Sequence, residues 1–232
     1  FRLMKQTVPN FLQSGDTIGI SATARFATAE SLAIAKRLIE SEGFNCYYAP
    51  EISKQHHQVA GTITERVQHF NALIHNPDIK AIWNIRGGYG SAEIVDLVDW
   101  EALIAQPKWL IGFSDFTTFL CHGVQKGIAT LHAPMPVSFS TTHPDALTAT
   151  FNVLRGKEDA LHCVLPKNIH GQIIAGNLSV IASILGTPSL PSLDDCVLII
   201  EDLDEYHYHL DRILLTLRRR GAFNRLRAVV LG

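Results

Sequence analysis

The sequence predicts an α/β fold: an open sheet of parallel strands over residues 1–150, a linker at 151–175, and a second, smaller domain over 176–232. Three observations predict it. The runs at 79–85 and 109–111 are mostly apolar, with Ala81-Ile82-Trp83 and Trp109-Leu110-Ile111 consecutive rather than alternating, as in strands covered on both faces. Segments with the 3.6-residue spacing of helices separate one run from the next. Gly, Pro and Asn punctuate the boundaries, as in repeated strand–helix units.

Each element has a local reason. Gly15-Asp16 turns the chain into a first strand that includes Ile18 and Ile20. Thr28 caps a helix from about Ala29, with Leu32, Ala35, Leu38 and Ile39 on one face and Gly43 at its end. Residues 44–49 form a short strand. Thr64 is the expected cap of a second helix bearing Val67, Phe70 and Ile74, which Asn76-Pro77 stops. The strand at 79–85 breaks into Arg86-Gly87-Gly88-Tyr89-Gly90, after which Ser91 is the expected cap of a helix with Ile94, Leu97 and Val98. The run at 109–111 ends in Gly112-Phe113-Ser114-Asp115, and its helix follows at 116–126. A strand at 128–131 precedes His132, and from 162 to 176 the pattern loosens. A helix at 177–185, a strand at 196–200, a helix at about 209–220 and an apolar run at 228–231 make the second domain. It reads as partial, because the text stops on an apolar strand. Arg218-Arg219-Arg220 complements a helix C-terminus.

Composition excludes several functions. Twenty Lys and Arg against 22 Asp and Glu give a formal charge of −2, which lacks the basic footprint of a general nucleic-acid binder. No stretch approaches the roughly 20 apolar residues of a membrane-spanning helix. Residues 1–10, with Arg2, Lys5 and Pro9, lack the apolar core of a signal peptide. The expectation is a cytoplasmic protein with no nucleic-acid or membrane partner. Cys46, Cys121, Cys163 and Cys196 are far apart and read as free buried thiols.

In an open parallel sheet, ligands bind beyond the carboxyl ends of the strands, which directs attention to the loops after Ile85 and Ile111. Gly87, Gly88 and Gly90 let backbone amides approach a ligand closely. The loop is not a dinucleotide fingerprint, since Ser91-Ala92-Glu93 follows without a third glycine, and no Gly-Lys-Ser/Thr follows to make a phosphate loop. An oxyanion or anion site and a tight structural turn both stay open. Ser114, between a buried strand and a helix, has the layout of a nucleophile elbow, with the Asp115 amide facing the reacting carbonyl oxygen. Phe116 stands where that motif usually ends in glycine, and helix capping by Ser114 or Asp115 is the other reading.

A catalytic serine needs a base and an orienting acid. Glu201 and Asp202 end the 196–200 strand and supply the acid, with an ordinary salt bridge as the alternative for Glu201. Glu205 and Asp211 are assigned to pairing with Arg212. Of eleven histidines, only His56-His57 and His207-Tyr208-His209 are close pairs, and neither has a metal-ligand pattern, so no metal is expected. His132 reads as structural or substrate-facing. No histidine is an evident partner for Ser114.

Together these motifs resemble the LD-carboxypeptidase family of serine peptidases, which includes murein tetrapeptide carboxypeptidases and microcin C immunity peptidases. The carrying segments are Gly15-Asp16-Thr17-Ile18, Ala60-Gly61-Thr62 with Glu65-Arg66, Ile85 to Gly90, Ile111 to Asp115, His132-Ala133-Pro134-Met135, Gly176-Asn177-Leu178-Ser179, and Ile200-Glu201-Asp202 with Asp211-Arg212. The resemblance implies a flavodoxin-like N-terminal domain, a smaller β-rich C-terminal domain, and a Ser-Glu-His triad that uses no metal and no cofactor. It makes Ser114 the nucleophile and Glu201 the acid, with the backbone amides of Gly87 and Asp115 as oxyanion donors. Arg86 is assigned to the substrate carboxylate on charge alone, with a structural ion pair as the alternative.

The implied reaction is hydrolysis of the amide between an L-configured centre and a terminal D-amino acid, on murein tetrapeptides in cell-wall recycling. The alternatives are an immunity-type peptidase that cleaves an aminoacyl-nucleotide antibiotic and a non-catalytic muropeptide-binding protein. Homodimerisation is left open. Ala133 stands where glycine is usual, and Ala175 precedes Gly176 where two glycines are usual. The family's histidine lies several dozen residues past the 228–231 run, so the base is expected beyond Gly232 and the sequence is expected to be a fragment.

Overall fold

The computed structural model describes residues 6–157 and 169–232. Strands β1 (Thr17–Ser21), β2 (Asn45–Tyr47), β3 (Ile79–Asn84), β4 (Trp109–Gly112) and β5 (Leu131–His132) form one parallel sheet in the order β2-β1-β3-β4-β5. This is the flavodoxin-like order, which reverses direction between β1 and β3 and leaves a crevice at the carboxyl edge there. Helices α1 (Ala29–Ser41), α2 (Ile63–His75), α3 (Ser91–Ile94), α4 (Trp100–Ala105), α5 (Thr117–Gln125) and α6 (Pro144–Leu154) accompany it. Trp83 packs with Phe139 and Phe151 on one face, and its neighbour Ile82 with Phe70 and Phe119 on the other. Burial on both faces explains the consecutive apolar residues Ala81-Ile82-Trp83, and each large apolar side chain buried there stabilises the fold by roughly 2 kcal/mol.

The second sheet is also parallel, with β6 (Gln172–Asn177), β7 (Cys196–Glu201) and β8 (Ala228–Leu231) in that order. Helices α7 (Leu178–Ser183) and α8 (His207–Arg219) accompany it. It docks on the first unit through α5, whose Cys121 and Val124 share an apolar cluster with Ile174, Leu198 and Leu217. The Asn177 backbone N–H donates to Thr117 Oγ1 at 3.1 Å and brings the carboxyl end of β6 beside the start of α5. Among the described residues, no helix is long and apolar enough to cross a membrane.

Several local expectations change. The cap of α2 is Thr62, not Thr64, in a reciprocal capping box with Glu65. Ser91 is the first residue of α3 rather than its cap, and Gly90 takes the cap position. The helix expected to carry Leu97 ends early, and Leu97 is exposed. The strand expected at 128–131 shrinks to Leu131–His132, because Ile128 pairs with Thr7 instead of with β4. Three elements had no prediction: α4, α6 and β6. Helix α6 runs past residue 150 and β6 begins before 176, so both expected edges of the linker move inward. Cys163 and residues 158–168 of the expected linker lie outside the described residues.

Candidate active site

The Gly-rich turn after β3 is built by polar clamps. Asn84, fully buried, accepts from the Ser21 hydroxyl and from the backbone N–H and hydroxyl of Thr23, and its amide donates to the Arg86 carbonyl. Arg66 donates to the carbonyls of Thr23 and Gly90 and pairs with Glu93 at 2.6 Å, so one buried guanidinium ties the loop after β1 to the end of the turn. Arg66 is buried and Glu93 is exposed, so loss of Glu93 leaves the buried guanidinium without a counter-charge. These contacts give physical content to Glu65-Arg66 in the motif: Glu65 closes the helix cap and Arg66 holds the turn.

Ser114 follows β4 with φ +57°, in the left-handed region that a non-glycine residue adopts only under constraint. A strained strand-to-helix turn of this kind holds a serine hydroxyl clear of its own strand. A Cβ on Gly87 would lie 2.7 Å from Ser114 Oγ, so only glycine permits this approach, and its backbone N–H meets no protein acceptor among the described residues. Asp115 is buried and its carboxylate accepts the Ser91 backbone N–H at 2.9 Å, which links the elbow to the turn. Burial pushes the Asp115 carboxyl up, and the Ser91 hydrogen bond opposes it.

Glu201 ends β7 opposite Asn177 of β6. Successive residues on a strand point to opposite sides, and the two neighbouring acids take different tasks. Asp202 accepts from the Ser179 backbone N–H and hydroxyl, the Asn177 amide and the Leu203 N–H, so it organises the start of α7. Burial raises its pKa, but these hydrogen bonds outweigh that and hold it below the usual carboxylate range. Glu201 is pushed up by burial and then by the Asp202 charge, and its buried Oε1 has no hydrogen-bond partner among the described residues.

His132, at the end of β5 beside the elbow's strand, has its Nε2 3.8 Å from that oxygen. Its ring stacks on Phe113, the residue before Ser114. Sequence reasoning placed His132 near the sheet edge but missed Glu201 as its neighbour, because the two lie on different sheets. Burial pushes the His132 pKa down to about 4, so the ring is neutral at pH 7. The sign follows: the unfolded chain binds a proton near pH 6.5 that the native ring refuses. Native stability therefore falls as pH drops from about 6.5 to about 4, and His132→Gln loses less than the wild type across that window. Urea unfolding at pH 7 and pH 4.5 measures it.

Other assignments resolve differently. Glu205 pairs with His209 at 2.9 Å rather than with Arg212, whose guanidinium lies over the Tyr208 ring. No carboxylate pairs with Arg86 among the described residues, and burial, with the nearby Arg25 charge, lowers its pKa. Among the described residues no group of three or more His, Cys, Asp or Glu is placed to hold a metal ion.

A doubly wound sheet with a strained serine at a strand-to-helix turn defines a serine-type hydrolase. The chain matches the LD-carboxypeptidase N-terminal domain over residues 18–133 and the LD-carboxypeptidase C-terminal domain over residues 170–232, and it belongs to the LD-carboxypeptidase family. A relative from Synechocystis sp. is 31% identical over 229 residues, 95% of this chain and 74% of its own. The murein tetrapeptide carboxypeptidase of Pseudomonas aeruginosa is 28% identical over 93% of this chain and 75% of its own. Among solved structures, the microcin C7 self-immunity protein MccF in its apo state superposes with a TM-score of 0.86, at 26% identity, over 98% of this chain and 79% of that one.

Proposed function

We propose that the protein is a serine LD-carboxypeptidase that removes a terminal D-amino acid from murein peptides. The observation that carries this reading is the left-handed backbone at Ser114 with Gly87 packed on its hydroxyl. In this reading Ser114 Oγ attacks the scissile carbonyl carbon and its proton passes to a histidine that Glu201 orients. The family resemblance assigns that histidine to a position beyond Gly232, and the partnerless Oε1 of Glu201 is an acceptor suited to its ring N–H. The oxyanion accepts from the amides of Gly87 and Asp115. The C–N bond then breaks, the histidine returns its proton to the leaving amine, and the D-amino acid departs. Water hydrolyses the acyl-serine by the same base and restores Ser114.

Arg86, which has no carboxylate partner among the described residues, is suited to hold the leaving residue's α-carboxylate. The elbow belongs to the N-terminal domain and the acid to the C-terminal one, and we place their division within 155–171, between α6 and β6. A cytoplasmic setting is part of the same reading. It is supported by the free thiols of Cys46, Cys121 and Cys196, the first two pushed up to about 12 by burial.

The test is to incubate the full-length protein with a murein tetrapeptide ending in D-alanine, with and without excess EDTA. D-alanine appears at the same rate in both. No release, or release abolished by the chelator, would overturn the reading; turnover of an aminoacyl-nucleotide alone would favour the immunity-type peptidase.

A further inference from the structure

Where the strand order reverses between β1 and β3, the loops part around a cavity of about 680 Å³. Its wall includes Arg25, His56, His57, Gln58, Tyr89 and Glu93. Two arginines line it in opposite circumstances. Arg66 donates from Nη1 to two carbonyls and from Nη2 to Glu93, and only its buried Nε meets no partner among the described residues. Arg25 is exposed, donates to the neutral amide oxygen of Gln58 at 3.1 Å, and has no carboxylate partner among the described residues. It sits near Arg86, which is equally without a counter-charge, and the Arg25 charge helps to lower the Arg86 pKa. Two neighbouring cations without a carboxylate repel one another, and an anionic ligand relieves that repulsion.

The cavity adjoins the candidate nucleophile. A Cβ on Gly87 would lie 2.7 Å from Ser114 Oγ, and one on Gly88 would lie 2.7 Å from Arg25 Cγ. Successive residues of one turn thus pack on the nucleophile and on Arg25. With consecutive Cα atoms about 3.8 Å apart, these contacts keep Arg25 Cγ within about 12 Å of Ser114 Oγ, a span of roughly two to four extended substrate residues. Arg86, just before Gly87, already serves the leaving residue's carboxylate in the reading above. Beyond Gly88 the substrate continues as its acyl portion. Glu93 on the same wall, though ion-paired, disfavours a dianionic phosphate and leaves a single carboxylate as the better fit.

We propose that this cavity is a second anion subsite, in which Arg25 binds a carboxylate on the acyl portion of an acidic peptide, roughly two to four residues from the bond that is cut. The proposal rests on the peptidase reading. Its test compares two probes, L-Ala-γ-D-Glu-L-Lys-D-Ala and the same peptide with the D-Glu α-carboxyl amidated. Titration calorimetry measures the affinity of each for full-length Ser114→Ala, for Ser114→Ala with Arg25→Gln, and for Ser114→Ala with Arg25→Lys.

Ser114→Ala is expected to prefer the acidic peptide about tenfold. Arg25→Gln brings the ratio close to one, and Arg25→Lys keeps part of it. A ratio near one in Ser114→Ala, binding of neither peptide, or a ratio that survives Arg25→Gln overturns the subsite. The first two outcomes do so even where the Arg25 variant does not fold. Turnover of the wild type, measured separately, distinguishes the two readings: a preserved ratio without D-alanine release removes the peptidase reading alone, and release with a ratio near one removes the subsite alone.

Discussion

Ser114→Ala is expected to lower kcat for D-alanine release by about 10⁴-fold or more, with the thermal midpoint close to that of the wild type. The size follows from the role assigned to Ser114. Members of a nucleophile–base–acid unit act together, and loss of the attacking atom leaves only what binding and the oxyanion amides supply. Alanine tolerates the φ of +57° about as well as serine, and Ser114 Oγ makes no hydrogen bond to protein among the described residues, so the fold has little reason to respond. Progress curves at saturating peptide, with circular dichroism melts alongside, measure both. A variant that keeps more than about a hundredth of the wild-type rate places the nucleophile elsewhere.

Glu201→Gln is expected to lower kcat about 10³- to 10⁴-fold with a small change in KM. Glutamine keeps the shape but presents an amide where the base needs an acceptor, so the imidazole is held in the wrong tautomer and its charged form goes unstabilised. Stability moves the other way. Burial raises the Glu201 pKa, so the folded state holds its proton to higher pH than the unfolded chain, and ionisation costs stability as pH rises through that window. A neutral glutamine escapes this cost, and at pH 7 the variant melts at or above the wild-type temperature. Loss of both rate and stability would mean that the carboxylate is structural, as an ordinary strand-end ion pair would be.

The strand–helix alternation was legible because burial on both faces leaves apolar runs, and α1 was legible to its cap. The short elements were not. Helix α4 has six residues and an ordinary composition, so only its packing against the sheet, through Trp100 and Leu103, selects it. Strand β6 contains Gly176 and alternates weakly, and pairing with β7 makes it a strand. At the proposed site, Ser114, Glu201, Gly87 and Asp115 could be named as candidates because strand ends and glycine turns mark themselves in sequence, and the family resemblance supplied their roles. The clamp of Arg66, the task of Asp202 and the approach of His132 to Glu201 could not, since each partner lies tens of residues away in the chain.

Residue type and order alone therefore settled the α/β class, the family resemblance and the positions where chemistry can sit, because periodicity, turn chemistry and motif spacing are local properties. Folding decided which charges are cancelled. Arg66 meets Glu93 and Asp202 meets Ser179, whereas Arg25 and Arg86 meet no carboxylate among the described residues and Glu201 Oε1 meets no donor. Those are distances across two sheets and their loops, and no local rule encodes them.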